Sequence, residues 1–236
     1  MNITPQNYSI KDAKKQPRIL PAATVILLRD VVNSLEILLL RRNTKLSFEG
    51  GAWVFPGGQI DPGDYVKGAE SNLVAAARQA AIREAKEEAG ILLTPENLIP
   101  MSCWTTPDVM PKRFKAWFFV AAAKKNNVRI DGNEIHDYRW IRPDRALDIH
   151  RAGKMKLPPP AFISILKLSA YKNVSSVLSD LADSSPMFFT PRNRQVPNGT
   201  CSLYEEDSGY PDMNLDRPGK RHRLWMLQSG WLYENS

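Results

Sequence analysis

A stretch rich in alanine at residues 72–89 carries three glutamates on the side that should face the protein. The stretch contains neither glycine nor proline, and Gly90 follows its end, so it predicts an α-helix. Positions i, i+3 and i+4 share a helix face, so Glu84, Glu87 and Glu88 fall within an arc of about 100°. The same side also carries Leu73, Ala77, Ala80 and Ala81. A solvated acidic patch would instead lie opposite these small apolar residues.

The three carboxylates repel one another, and they lie in the last turns of the helix, where the helix dipole disfavours negative charge. Arg83 and Lys86 offset only part of this charge. A divalent cation would relieve the repulsion, and hard oxygen ligands suit Mg²⁺ or Mn²⁺. The helix alone leaves a second interpretation open, an ordinary surface helix rich in glutamate and lysine.

The order of the other predicted elements indicates an α+β fold. Apolar runs bounded by turn residues predict strands at residues 23–29, 35–41, 53–55, 115–122 and 138–141. The first two form a hairpin, and the third is stopped by Pro56 and the two glycines that follow it. Ser71 is predicted to cap the helix at 72–89, and a second helix is predicted from about residue 160 to 181. Strands, helix, strands and helix in this order predict a mixed sheet with helices packed on it.

The composition excludes several classes of protein. The chain is 43% hydrophobic and 24% charged, and no apolar run approaches the ~20 residues that a membrane span needs. Residues 1–20 lack the apolar region of a secretory signal, and Cys103 and Cys201 form no disulfide framework, so a cytoplasmic protein with reduced thiols is expected. The net charge of +7 is scattered along the chain, which favours a small anionic substrate over nucleic acid.

The segment before the helix completes a recognisable motif. Residues 55–58 (FPGG), then Gly63 and Asp64, then residues 83–91 (REAKEEAGI) together resemble the signature of the Nudix hydrolases. The resemblance implies the Nudix fold, a mixed β-sheet sandwiched between α-helices (α/β/α), and metal-dependent hydrolysis of a diphosphate linkage. Residues 65–82 make the motif longer than the family pattern. The loop acid is Asp64 where the family usually has glutamate, and its role is left open.

The long insertion inside the motif resembles the branch of the peroxisomal coenzyme A (CoA) diphosphatases and their bacterial relatives. Residues 104–114 and the run at 157–160 (LPPP) are similar to the same branch, although Ser47 stands where CoA-cleaving members often have an arginine. The resemblance predicts a Nudix domain at residues 18–182. Residues 183–236 are predicted to be an extension packed on the core, because their apolar and aromatic side chains should not face water.

The resemblance also implies roles for individual residues. The predicted metal ligands, for Mg²⁺ or Mn²⁺, are Gly57, Glu84, Glu87 and Glu88. Either Glu84 or an acid outside the helix would activate the water, and Glu134 is the best outside candidate. Arg41, Arg42 and Arg113 are predicted to bind the substrate.

The expected reaction is hydrolysis of the diphosphate in a nucleoside diphosphate derivative, with CoA or acyl-CoA as the leading substrate. The alternatives are a pyrophosphohydrolase of nucleoside triphosphates or nucleotide sugars, and a Nudix protein that senses a nucleotide without cleaving it. The expected partner is a small diphosphate molecule, with neither nucleic acid nor a membrane. A homodimer is compatible with the sequence.

Overall fold

The computed structural model describes residues 18–45, 49–68, 71–123, 127–130 and 132–236. The N-terminal segment judged for a signal sequence falls almost wholly outside these ranges, as does Ser47. Within them, the helices are α1 (Leu73–Ala89), α2 (Pro143–Arg151), α3 (Pro159–Leu168) and α4 (Val174–Ala182). The strands are β1 (Ile19–Val31), β2 (Ser34–Arg42), β3 (Trp53–Val54), β4 (Gly57–Gln59), β5 (Ile99–Thr105), β6 (Arg113–Ala122), β7 (Ile135–Ile141), β8 (Met187–Phe189), β9 (Arg192–Val196), β10 (Gly199–Leu203), β11 (His222–Leu227) and β12 (Gly230–Asn235).

Among these described strands, eight form one mixed sheet in the order β3-β2-β1-β6-β5-β8, with β4 paired to β1 and β7 paired to β2. The pairs β1–β6 and β5–β8 are parallel, and the others are antiparallel. Helix α1 covers one face of the sheet, while α2, α3 and α4 pack with the opposite face. The predicted α/β/α sandwich is therefore confirmed. No helix in the described ranges is long and apolar enough to cross a membrane.

The predicted hairpin is present and longer than its apolar runs suggest. Strands β1 and β2 pair up to Val31 and Ser34, leaving a two-residue turn in which Asn33 has a φ of 57°. Asparagine tolerates this left-handed conformation better than most residues do, so it suits the tight turn. The side chains of β1 alternate between the two cores, with Val25 on the side of α1 and Ile26 on the side of α2, α3 and α4.

The third strand ends before Pro56 as predicted, but Gly57–Gln59 then form a further strand, β4, because their backbone pairs with β1. The prediction of a single helix at 160–181 was wrong, since Asn173 caps a second helix, α4, by accepting a hydrogen bond from the Ser176 N–H. The strands β5 and β8 to β12 and the helix α2 were not predicted.

Helix α1 has the predicted end but a different cap at its start. The Asn72 side chain, rather than Ser71, accepts a hydrogen bond from the Ala75 N–H at 3.0 Å. At the other end Gly90 has a φ of 68°, and its N–H donates to the Lys86 carbonyl. The alanines on one side of the helix are buried, and Glu88 is buried on the same side.

The C-terminal residues form a second sheet that packs against the main one. Strands β9 to β12 are antiparallel in the order β12-β11-β10-β9. The Trp104 ring on β5 stacks on Phe189 at 3.8 Å between centroids and meets the edge of Tyr204 at 5.8 Å. Leu224 of β11 belongs to the same buried cluster. These contacts support the proposal that residues 183–236 are an extension of the domain at 18–182.

A buried ion pair holds the second sheet together. Arg223 on β11 donates to both carboxylate oxygens of Asp207, through Nη2 at 2.6 Å and Nε at 2.7 Å. Both side chains are almost fully buried. Burial alone would raise the pKa of Asp207, but hydrogen bonds from Arg223 and from the N–H groups of His222 and Gly209 lower it. The charged pair therefore holds the segment between β10 and β11, which contains Asp207, against β11.

We expect Asp207→Asn to lower the free energy of unfolding by about 3–5 kcal/mol, because the guanidinium of Arg223 is left buried without its counter-ion. Urea denaturation followed by circular dichroism measures the change. The control is Asp148→Asn, which removes an ion pair with Arg151 in which both side chains are more than half exposed. That substitution should cost less than about 1 kcal/mol. Equal effects of the two substitutions would contradict the role of the buried pair.

Candidate active site

The backbone of β4 lies directly against the acidic end of α1. The Gly57 N–H donates to Glu88 Oε2 at 3.0 Å. A Cβ atom on Gly58 would lie 2.3 Å from Glu84 Oε1, and one on Gly57 would lie 2.5 Å from the Ala23 carbonyl oxygen. A side chain on Gly57 would therefore push the loop away from the backbone of β1, whereas one on Gly58 would displace the carboxylate of Glu84.

The three glutamates of the motif differ in their exposure. Glu88 is 7% exposed and the Glu84 side chain 14%, whereas the Glu87 side chain is 57% exposed. Burial raises the pKa of Glu88 to about 8, although the Gly57 N–H favours its charged form. Burial also raises the pKa of Glu84, against the opposing effect of Arg83. The two buried carboxylates are close enough to disfavour each other's negative charge.

Arg83 connects the loop of the motif to the helix through hydrogen bonds to carboxylates of both. Its Nη1 atom donates to Glu84 Oε1 at 2.7 Å and to Glu87 Oε2 at 3.1 Å. Its Nε and Nη2 atoms donate to the two carboxylate oxygens of Asp64 at 3.1 and 3.0 Å. Asp64 is 6% exposed and also accepts the Asp61 N–H. Asp64 thus orients Arg83, and the residues inserted between them leave this contact intact.

The glutamates fit a divalent cation by their chemistry, but not as a preformed cage. In the described parts of the chain, no three acidic, histidine or cysteine side chains are gathered as a ligand set. Glu84 and Glu87 are instead held by Arg83. However, the negative charges of Glu84 and Glu134 both raise the pKa of Glu88. This concentration of partly buried carboxylate oxygens suits a hard cation such as Mg²⁺ or Mn²⁺.

The structure brings only some of the other predicted residues to the glutamates. Arg42 Nη2 lies 3.8 Å from Glu134 Oε2, and the charges of both residues act on Glu88. Arg41 lines a second, small pocket with Arg42, Thr44, His136 and Asp137, and it does not line the cleft of the glutamates. Arg113 is 8% exposed, and its Nε donates to the Thr106 carbonyl at 3.2 Å, so we propose that it stabilises the turn before β6.

A cleft of about 760 Å³ joins the glutamates to a more apolar region. Its polar end is lined by Arg42, Gly57, Gly58, Arg83, Glu84, Glu87, Glu88 and Glu134. Its apolar lining residues are Trp104, Pro107, Met110, Phe114, Ala116, Phe118, Pro159, Ala161, Tyr204 and Met226, and Thr105, Thr106, Lys112, Asn193 and Ser202 also line it. The volume lies in the range of ligand sites in proteins. A charged region next to an apolar one suits a ligand with both kinds of group.

The NUDIX domain model matches residues 19–159, more than half of the chain, and the chain therefore belongs to the Nudix family. It resembles in fold a crystal structure of a NUDIX hydrolase from Alicyclobacillus acidocaldarius, with a TM-score of 0.63 and 24% identity over 70% of this chain and 97% of that one. The matched segment is a NUDIX domain, and the proteins that it resembles are named as hydrolases. Nudix hydrolases generally use divalent metal ions.

Two relatives are more specific in their names. The chain is 28% identical to putative nudix hydrolase 7 of Caenorhabditis elegans, in an alignment that covers 58% of this chain and 57% of that protein. It is 24% identical to acyl-coenzyme A diphosphatase NUDT19 of Xenopus laevis, with 75% of this chain and 72% of that protein covered. The chain thus spans little more than half of the nematode relative's length.

Sequence reasoning missed two features of the site. The contact of Gly58 with Glu84 depends on the pairing of β4, which a Pro-Gly-Gly run does not reveal. The second sheet contributes Asn193, Tyr204 and Met226 to the cleft, and no motif marks them. The apolar stretch at 224–233 indicated that this region packs on the core, but not that it borders the site.

The glycines of β4 allow the site to be tested apart from the fold. We expect Gly58→Ala to lower kcat/KM about a hundredfold with little loss of stability, because the new Cβ displaces only the flexible carboxylate of Glu84. Gly57→Ala should instead destabilise the protein, since its Cβ meets the backbone of Ala23. Gly63→Ala is the control, because a Cβ there has no atom within 4 Å. Full activity in Gly58→Ala would contradict this assignment.

The raised pKa of Glu88 should also appear in the stability of the metal-free protein. The pKa of Glu88 is about 8 in the fold against 4.5 for the ordinary side chain, so the folded state binds the proton more tightly. Its contribution to stability is present below pH 4.5 and is lost as the pH rises towards 8. Urea denaturation in EDTA across this range should show a steeper decline for the native protein than for Glu88→Gln. Parallel curves would rule out the shift.

Proposed function

We propose that this protein hydrolyses the diphosphate linkage of CoA or acyl-CoA, with Mg²⁺ or Mn²⁺ held by Glu84, Glu87, Glu88 and the Gly57 carbonyl. The metal would neutralise charge on the phosphates and lower the pKa of a bound water. The observation that carries the proposal is the single cleft that contains both the glutamates and the apolar region. The acyl-CoA diphosphatase of Xenopus laevis among the relatives supports the same substrate class.

The residues of this chain divide the remaining work. Arg42 lies between Glu134 and the buried glutamates, where its guanidinium suits a phosphate oxygen of the substrate. Glu134 lines the cleft with a side chain that is 61% exposed, so it can reach water and accept its proton. Glu84 is the alternative proton acceptor. Arg83 and Asp64 act as positioning residues, because they hold the carboxylates in place.

The apolar lining of the cleft favours this substrate over the alternatives. A nucleoside triphosphate has no group beyond its terminal phosphate, and the group beyond the diphosphate of a nucleotide sugar is polar, so neither would fill the apolar part of the cleft. CoA esters carry a long arm with an apolar end. The third alternative, a protein that senses a nucleotide without cleaving it, is disfavoured because all three glutamates of the motif are present. The cytoplasmic location, with Cys103 and Cys201 reduced, and a homodimer are further parts of the proposal.

The test is a panel of free CoA, acyl-CoA, nucleotide sugars, dinucleotides and nucleoside triphosphates, each with Mg²⁺ or Mn²⁺. We expect turnover of the CoA compounds. Glu87→Gln and Glu88→Gln should lower kcat about a hundredfold or more, because each removes a metal ligand. Mass spectrometry of the products identifies the bond that is cleaved.

The control is Glu96→Gln, which changes an exposed glutamate outside the cleft and should leave turnover unchanged. No turnover of any compound by folded, metal-bound protein would refute the enzyme proposal. Preferred turnover of nucleoside triphosphates would replace CoA as the substrate. Turnover unaffected by both glutamate substitutions would refute the site assignment.

A further inference from the structure

The cleft has a wall that lies beyond the segment matched by the family model. That match ends at residue 159. Strands β9, β10 and β11 nevertheless reach the same cleft as the glutamates of the motif. The cleft residues from this second sheet and its approach are Pro191, Asn193, Ser202, Tyr204 and Met226. Part of the binding surface is therefore specific to the C-terminal extension.

The floor between the glutamates and this wall is one face of the main sheet. Strands β4, β1, β6 and β5 lie side by side, and the residues paired across them are Gln59, Ala22, Ala116 and Trp104. Neighbouring strands are about 4.8 Å apart, so the three steps from β4 to β5 cover about 14 Å. The alanines at the two middle positions leave the floor open.

The far end of the floor is apolar and held in place. Trp104 is fixed between Phe189, on which it stacks, and Tyr204, whose ring it meets edge-on. The Ser202 hydroxyl donates to Asn193 Oδ1 at 2.7 Å and ties β10 to β9. Met226 is partly exposed and lines the cleft with a flexible, polarizable side chain. Such a surface suits an alkyl chain better than a charged or strongly hydrated group.

We infer that the C-terminal sheet, together with Trp104, forms a specificity subsite that takes the acyl chain of an acyl-CoA substrate. The inference rests on the proposed function, in which the diphosphate lies beside the glutamates and Arg42. The arm of CoA then crosses the floor over Ala22 and Ala116, and the acyl chain lies against Met226. Longer chains bury more apolar surface at this end and bind more tightly.

The two faces of the second sheet provide a matched pair of variants. Met226 of β11 pairs with Trp231 of β12, and the next pair along the strands is Trp225 with Leu232. Side chains of successive residues point to opposite faces, so Leu232 lies on the face away from Met226. Leu232 is 57% exposed and does not line the cleft. Met226→Trp therefore fills the subsite with a bulky ring, whereas Leu232→Trp places the same ring on the opposite face of the sheet.

The experiment measures chain-length dependence with and without turnover. Calorimetry in EDTA gives the Kd of free CoA, acetyl-CoA and octanoyl-CoA, and steady-state kinetics with Mg²⁺ gives kcat/KM for the same compounds. We expect the native protein to bind octanoyl-CoA at least about tenfold more tightly than acetyl-CoA. Full burial of the added methylene groups would give a larger ratio than this. In Met226→Trp this ratio should fall to about one, while Leu232→Trp keeps it.

A second variant, Met226→Ala, keeps the test valid if Met226→Trp fails to fold. It should also reduce the ratio of the two Kd values, because it removes contacts with the acyl chain. If CoA compounds are cleaved but chain length has no effect, or if both Met226 variants keep the native ratio, the subsite is refuted and the proposed function stands. If the folded native protein neither binds nor cleaves any CoA compound, the proposed function fails and the subsite fails with it.

Discussion

The site depends on how closely the β4 backbone approaches the acidic end of α1. The Gly57 N–H reaches Glu88 directly, and Gly58 leaves no room for a side chain beside Glu84. This approach is possible because α1 packs on the sheet through alanines such as Ala77 and Ala81, which are fully buried. Larger residues there would lift the helix and carry the carboxylates away from the loop. The alanines of α1 and the glycines of β4 are therefore both needed for the close approach of β4 to the helix.

Close packing of carboxylates creates an electrostatic problem that the chain solves only in part. Arg83 spans Asp64 on the loop and Glu84 on the helix, so one guanidinium balances charges from both elements. Glu88 forms no ion pair with a described residue, and burial raises its pKa to about 8 despite the Gly57 N–H and the charge of Arg42. In the proposed function, a divalent cation bound by these hard oxygen ligands would supply the missing positive charge.

The sequence predicted what depends on local patterns and missed what depends on distant pairing. The spacing predicted the inward face correctly for Glu84 and Glu88 but wrongly for Glu87, which is 57% exposed, and the Gly90 end of α1 follows from local backbone conformation. The strand at Gly57–Gln59 was missed because only its pairing with β1 makes it a strand. Likewise Arg41 and Arg42 are adjacent in sequence and share a small pocket, yet only Arg42 also lines the cleft of the glutamates.

The C-terminal sheet shows why the family motif alone does not determine a substrate. In the proposed function the diphosphate is cleaved beside the glutamates of the motif, while the group attached to it contacts β5, β6 and the extension. Trp104 belongs to the matched domain, and Tyr204 belongs to the extension, and the two rings pack against each other. The buried pair of Asp207 and Arg223 holds β11, and with it Met226, in a fixed position. In the proposed function, catalysis and substrate selectivity thus depend on separate parts of the chain, and both parts line one cleft.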